Sequence, residues 1–464
     1  MKTQLLFAAL FFSALGTFSQ EWMYTDLTEP KLRMASAALG SKAYFAGGDN
    51  NDEDLSLVEI YDVTDESWSY AELSLARSFM VGISCGSKVL FAGGTNLIDT
   101  CYTRVDIYDT LTQEWTTAEL SAPRFLLSTV AYGNKVLFAG GLDLATMDPS
   151  NAVDIYDVET GEWDTAYLSE ARFAMGETVV GDVAVFAGGD NFNTFSGQVD
   201  LYNFTTNAWS TMTMVLPRGY NAACAAGGKL MIVGGMTNRY NSNSATNLIE
   251  IYDFGDETWD YSEFPNPRAF IEPAVALGDQ VYFVAGGNFA ASGGGWASSV
   301  NIVDIYTIQT GEWTEDFLTH DLMNHTVTTL ETPQASYLFV AGGASKQLDE
   351  SYSTVEIMWS PVGIPEVQSS EFKVQSYPNP FHSSIEFRVS SIESQSVSLK
   401  IYNAHGQLVA TVLDEPLPPG EHTITWNAEN LLAGIYYYQL SILQASPSGH
   451  AANRQLSSEK LVKY

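Results

Sequence analysis

The sequence predicts an all-β protein in two parts: a long run of repeated four-stranded units, then a small antiparallel β-sandwich. Three observations predict it. A glycine pair closes a short apolar run at Gly47-Gly48, Gly93-Gly94, Gly140-Gly141, Gly188-Gly189, Gly234-Gly235, Gly286-Gly287 and Gly342-Gly343, at spacings of 46 to 56 residues. A Trp follows a Tyr at a fixed offset in Tyr61/Trp68, Tyr108/Trp115, Tyr156/Trp163, Tyr202/Trp209, Tyr252/Trp259 and Tyr306/Trp313. No apolar pattern of helical period runs through 21–360. Self-similarity at this period marks a repeat architecture.

The chain opens on a secretory pattern. Lys2 precedes the apolar run LLFAALFFSAL at 5–15, which is too short to span a bilayer, and Gly16, Thr17 and Ser19 follow it. A signal peptide over 1–20, cut before Gln20 or Glu21, is expected. No Cys stands near that point to carry a lipid, and no later segment is long and apolar enough to cross a membrane.

Within each unit the marks fall in a constant order. A basic residue stands nine positions after Trp22, Trp68, Trp115, Trp163, Trp209 and Trp259: Lys31, Arg77, Arg124, Arg172, Arg218 and Arg268. One strand follows the base. A second, such as KVLFAGG at 88–94, ends in the glycines and is apolar throughout, as a strand covered on both faces must be. A third carries the Tyr, as in VDIYD at 105–109, and a fourth carries the Trp. DVETGEW at 157–163 joins the last two as a glycine-bearing hairpin.

Four strands in about 50 residues, with Arg, Gly-Gly, Tyr and Trp in that order, resemble the kelch repeat. The resemblance implies a seven-bladed kelch-type β-propeller closed by the N-terminal strand, over 21–360. Six units are complete. The last passes Gly342-Gly343, reaches STVEIMW at 353–359 and stops without its Trp strand. EWMYTDLT at 21–28 supplies one, with Trp22 in the register of the later copies. The Tyr and Trp are expected to fill the wedge between blades, and the glycines to permit a sharp exit where no side chain fits.

An acid stands two residues before each repeat Tyr: Glu59, Asp106, Asp154, Asp200, Glu250 and Asp304, with Glu356 equivalent in the last unit. One base and one acid per unit make a structural ion-pair ring. The last unit has Leu322 where the base belongs, so Glu356 is expected to lack its partner.

In kelch propellers the loops after Gly-Gly share the face that carries the ligand site. Here they are long: 49–57, 190–197, 236–247 and 288–299. They carry Phe192, Phe195, Tyr240, Phe289 and Trp296, aromatic faces of the kind that hold sugars or peptides, and these are the candidate ligand-binding residues. The competing reading is that they pack down on their own loops. Asp49, Asp52, Glu53 and Asp54 form an acidic loop without the spacing of a calcium site, and a solvated loop is expected.

With 55 acidic against 21 basic side chains the formal net charge is −34, which excludes nucleic acid and anionic membrane surfaces as partners. Cys85, Cys101 and Cys224 are an odd set and read as small core residues rather than a disulfide framework. No catalytic constellation, metal site or cofactor is expected. Copper-radical oxidases on this fold need two His and two Tyr with a Tyr–Cys link, and the repeat region holds only His320 and His325.

After Trp359 a Pro- and Ser-rich stretch, 361–375, reads as a linker. YPNPF, IYNAHGQLV, LLAGIYYYQL and the terminal KLVKY then resemble the type A C-terminal sorting domain of type IX secretion substrates, over 376–464. The resemblance implies a β-sandwich read by the outer-membrane secretion machinery, with Trp426 in its core. The topology places it on the face opposite the Gly-Gly loops.

The expected function is a secreted or cell-surface binding protein with a glycan or protein ligand. The alternative is an extracellular carbohydrate-active enzyme of epimerase, mutarotase or oxidase type. A structural surface-layer component is a third reading.

Overall fold

A computed structural model describes residues 21–464 apart from 97, 242, 272–273, 291–294, 334, 346–349, 362–371, 392–394, 404–407, 419, 430, 432–433, 446–450 and 464. The described residues are all-β. The N-terminal strand is β1 (Glu21–Asp26). The first unit is β2 (Ala35–Leu39), β3 (Lys42–Ala46), β4 (Leu57–Asp62) and β5 (Ser67–Glu72), an antiparallel sheet in chain order. Sheets of the same order follow over 81–119 (β6–β9), 128–167 (β10–β13), 176–213 (β14–β17) and 222–263 (β18–β21).

The next unit pairs β22 (Val275–Leu277), β23 (Gln280–Val284), β25 (Gly295–Thr307) and β26 (Glu312–Leu322), and β24 (Gly287–Ala290) folds back on β25. The stretch 288–299, expected as an irregular loop, is therefore in its described part a two-stranded ribbon in which Phe289 pairs with Trp296. The last sheet runs β1, β29 (Thr354–Pro361), β28 (Ala335–Ala341), β27 (Thr326–Glu331), with Trp22 opposite Met358.

The first strands β2, β6 (Val81–Cys85), β10 (Ser128–Tyr132), β14 (Gly176–Val180), β18 (Ala222–Ala226), β22 and β27 touch in succession, and β27 touches β2. The core lies between sheets. Tyr44, Phe91, Tyr108 and Trp115 share one cluster across the first two units, and Phe45, Tyr61, Trp68 and Phe339 share another across the last and first. Every repeat Tyr faces its Trp across a strand pair, as in Tyr61↔Trp68 and Tyr156↔Trp163, with ring centroids 5.1 and 4.6 Å apart.

The glycine pairs have a steric reason. A Cβ on Gly47 would stand 2.6 Å from the Arg77 carbonyl oxygen of the next unit, and one on Gly93 would stand 2.5 Å from that of Arg124. Both glycines of each such turn except Gly287 have positive φ. In six of these turns the second glycine donates its N–H to that carbonyl, as Gly94 does to Arg124 at 2.9 Å and Gly189 to Arg218 at 2.9 Å, and in the other Gly286 donates to Leu322. The pair is thus a seam between units, where a side chain would displace backbone.

The bases and acids meet as expected, and fully buried. Arg77 pairs with Asp106 and Arg218 with Glu250, each at 2.8 Å; Lys31 pairs with Glu59, Arg124 with Asp154, Arg172 with Asp200 and Arg268 with Asp304. Each guanidinium also donates to strand carbonyls of the glycine turn, as Arg77 does to Phe91 and Gly93. Glu356 has no base among the described residues: Thr319 donates to it through its N–H and hydroxyl. Burial raises the Glu356 pKa, against the pull of those bonds.

The C-terminal residues form two facing sheets. One is β30 (Phe372–Tyr377), β31 (Ser384–Ser391) and β34 (Gly420–Asn427). The other orders β33 (Leu408–Leu417), β32 (Gln395–Asn403), β35 (Gly434–Ala445) and β36 (Ala451–Lys463). The strand β30 begins inside the stretch expected as a linker. Phe387, Leu399, Ile401, Tyr438 and Leu440 are its core, and Trp426 packs at the margin of that core rather than within it. The ring of Trp359, at the end of β29, meets Tyr437 of this sandwich at 6.0 Å. That contact is at the end of the sheet away from Gly342-Gly343.

Candidate functional site

Two residues after each base position the chain enters the left-handed region. Arg33, Phe79, Leu126, Ala174, Tyr220, Phe270 and Asn324 have φ between 50° and 58°. A left-handed conformation strains any residue with a Cβ, by about 1–3 kcal/mol each. Its local cause is visible. The residue before it bridges to the one after Gly-Gly, as in Leu32↔Asp49, Phe125↔Leu142 and Gly219↔Met236. The residue after it packs on the glycine turn, as Met80 does on Gly94 and His325 on Gly343. Only a reversal between the two lets the chain pass from one contact to the other.

These reversals converge. The N–H of Arg33 donates to the Asn324 carbonyl at 2.8 Å, Phe79 to Arg33 at 3.0 Å, Tyr220 to Ala174 at 3.0 Å and Phe270 to Tyr220 at 3.1 Å. All seven residues line a cavity of about 440 Å³ between the first strands, with Met80, Leu127, Ser128, Glu177 and His325 among the deeper walls. A cavity of this size suits a small ligand or one side chain of a larger one.

The rim carries aromatic rings. Tyr220 and Phe270 lie 4.4 Å apart, centroid to centroid, and Phe79 packs edge-on to Phe125. Beside Phe79, Arg33 lies over its ring at 5.4 Å, and the Arg33 Nη1 donates to both oxygens of Asp49 at 2.9 and 3.0 Å. Deeper, burial pushes the Glu177 carboxyl up to about 8, with Ser128 in bonding reach opposing the shift. Burial holds His325 down to about 4, and Arg268 adds to it. The Val284 backbone biases His325 the other way, although neither ring nitrogen makes a hydrogen bond of good geometry.

The residues expected at the site are dispersed. Phe195 is buried, only 7% exposed, and its ring meets Tyr220 edge-on at 6.2 Å, so it supports the rim from beneath. Phe192 is half-buried between Phe173 and the Arg239 guanidinium, which lies 4.7 Å over its ring. Tyr240 is 68% exposed on its loop. The side chains of Phe289 and Trp296 lie outside the described ones. Phe79, Leu126, Tyr220 and Phe270 were not singled out from sequence. For the three aromatics the signal is an Arg-x-aromatic triplet at 77–79, 218–220 and 268–270.

The acidic loop folds on itself. Asp49 pairs with Arg33, Asp54 accepts from Ser78, and Asn50 accepts from the Asp52 and Glu53 amides. No group of three potential metal ligands occurs among the described residues. His320 stacks on Tyr352, centroids 4.0 Å apart, and does not line the cavity. Burial pushes the Cys85 thiol to about 11 and that of Cys224 to about 12, so neither is a nucleophile.

The family model described as the Attractin/LZTR1 beta-propeller matches residues 89–351, and that of the secretion system C-terminal sorting domain matches 375–447. A solved structure titled "Structure of YjhT" is similar at a TM-score of 0.48 and 14% identity, covering 63% of this chain and 99% of that one. No curated protein matches. The sorting domain indicates type IX export to the outer cell surface or secretion, and no helix of the described residues is long and apolar enough to cross a membrane. The chain belongs to the Attractin/LZTR1 family of kelch-type β-propellers and carries a type IX secretion C-terminal sorting tail.

Proposed function

We propose that the chain is a secreted or cell-surface binding protein that takes a glycan or protein ligand at the mouth of its cavity. On this reading 21–360 is a seven-bladed propeller whose ring β1 closes. Residues 1–20 are a signal peptide, 361–375 a linker and 376–464 the exported sorting domain. The succession of first-strand contacts from β2 round to β27 and back supports the closed ring. One observation carries the function: seven left-handed residues, four of them large and apolar, converge on a cavity of about 440 Å³. Strain of this kind is kept where a rim must be held in one shape.

The test is a glycan and protein screen on residues 21–464, repeated with Tyr220→Ala and Phe270→Ala. Captured ligands are expected to be lost from both variants while the unliganded proteins still melt cooperatively. Capture that survives both substitutions would place the ligand elsewhere.

A second reading, an enzyme of epimerase or mutarotase type, has one observation in its favour: Arg33, Glu177 and Tyr220 line the same cavity. Arg33 is already held by Asp49, which favours binding over proton transfer. Turnover of a sugar anomer by the same preparation, abolished by Glu177→Gln, would replace the binding reading.

A further inference from the structure

We infer that the cavity receives an organic cation, the basic side chain of a peptide, with the Glu177 carboxylate as its counter-ion and the rings of Phe79, Tyr220 and Phe270 as its collar. This rests on the reading of the cavity mouth as the ligand site.

Glu177 is half-buried and, like Glu356, has no basic partner among the described residues, but unlike Glu356 it lines the cavity. Each of the six ring acids from Glu59 to Asp304 is paired with Lys or Arg. Among the described residues no Lys or Arg pairs with Glu177. Among the described residues of the cavity wall the one full cation, Arg33, donates to both oxygens of Asp49. A carboxyl without a counter-ion, in a cavity whose strand walls are largely Met34, Met80, Val81, Ile83 and Leu127, favours a charged partner on an apolar stem.

The collar already shows its preference, because the Arg33 guanidinium lies over Phe79 at 5.4 Å. The surrounding field agrees: a net charge of −34 draws cations and repels anions. His325 offers no opposition, since burial keeps it neutral above about pH 4.

The recognition is linked to a proton. With its pKa up at about 8, Glu177 is a neutral acid at pH 7 in the empty cavity. An incoming ammonium pairs with the carboxylate, and the carboxyl proton leaves to solvent. The elements packed on Glu177 add no other charge: β10 presents Ser128 and Thr129, β15 (Val183–Ala187) presents Phe186 opposite it, and β18 follows Asn221. Arg33, His325 and the Tyr220 phenol are the remaining titratable groups of the wall among the described residues.

The experiment is calorimetry on residues 21–464 at two pH values either side of 8, each in two buffers of different ionisation enthalpy. The probes are N-acetyl-lysine methylamide, its neutral norleucine analogue, n-butylammonium and methyl glucoside. The lysine probe is expected to bind on the order of tenfold tighter at the higher pH, with proton release, and tighter than the other three. Glu177→Gln should remove the pH dependence and the proton release while the protein melts no lower; Glu177→Met serves if that variant fails to fold. Equal binding of butylammonium would overturn the peptide assignment. Preference for the norleucine probe or the glucoside, no binding by any probe, or an unchanged Glu177→Gln variant would overturn the cation. Should Tyr220→Ala abolish ligand capture while Glu177→Gln does not, the mouth remains the ligand site and only this inference falls.

Discussion

Gly343 donates its backbone N–H to the carbonyl of Lys31 at 2.8 Å, joining the last sheet of the repeat to the first. A Cβ on the neighbouring Gly342 would collide with that same oxygen, and φ there is +59°. Gly342→Ala is therefore expected to destabilise by about 3 kcal/mol, strain and collision together. Gly40→Ala has the same sign of φ and nothing within 4 Å of the new methyl, so it should cost only about 1 kcal/mol. Equal denaturation midpoints for the two variants would refute the seam.

The strand β1 pairs along its length with β29, and the Trp22 indole donates to Asp316 at 2.7 Å. Deleting 21–28 removes that indole and bares the edge of β29. The expected result is a lower melting temperature and self-association in light scattering. A deleted protein that melts like its parent and stays monomeric would contradict closure by β1. Trp22→Ala, which keeps the backbone pairing, should cost about 3 kcal/mol without association.

Glu250 and Glu356 hold equivalent places with different partners. Glu250→Gln leaves the fully buried Arg218 guanidinium without its counter-charge, and breaking such a pair costs about 3–5 kcal/mol. Glu356→Gln keeps an oxygen for the Thr319 N–H and strands no base, so about 1 kcal/mol or less is expected. Urea unfolding of the two variants separates the cases.

Stability should bend with pH in a predictable sense. The folded pKa of Glu177 is raised to about 8, so the folded state keeps its proton longer than the unfolded chain. That contribution is complete below the unfolded carboxylate value and is lost as pH rises towards 8. His325, lowered to about 4, acts the other way at lower pH: its contribution is complete above the unfolded imidazole value and lost as pH falls towards 4. Of these two groups, only Glu177 loses its contribution between about 6.5 and 8. Melting temperatures in that window should fall for the parent and stay level for Glu177→Gln.

The ion-pair ring was legible because it needs particular residue types at particular offsets, and so were the Tyr–Trp pairs and the glycine seams. The exception was legible too: Leu322 in place of a base left Glu356 to Thr319. The rim of the cavity was not. Its seven members are Arg, Phe, Leu, Ala, Tyr, Phe and Asn; they share an offset of two from the base position and a sign of φ, which no residue type common to them announces. Phe195 shows the converse. It sits in a polar loop where sequence allowed either ligand contact or packing on the loop itself, and it is buried against Tyr220 instead.

The sequence by itself determined the repeat, the strands within it and the sorting tail, because steric and charge demands recur wherever the same local chemistry recurs. Only the tertiary structure decided which side chains meet at the mouth. Those contacts join residues from different units, and their positions follow from how the units pack around the cavity rather than from any neighbour in the chain.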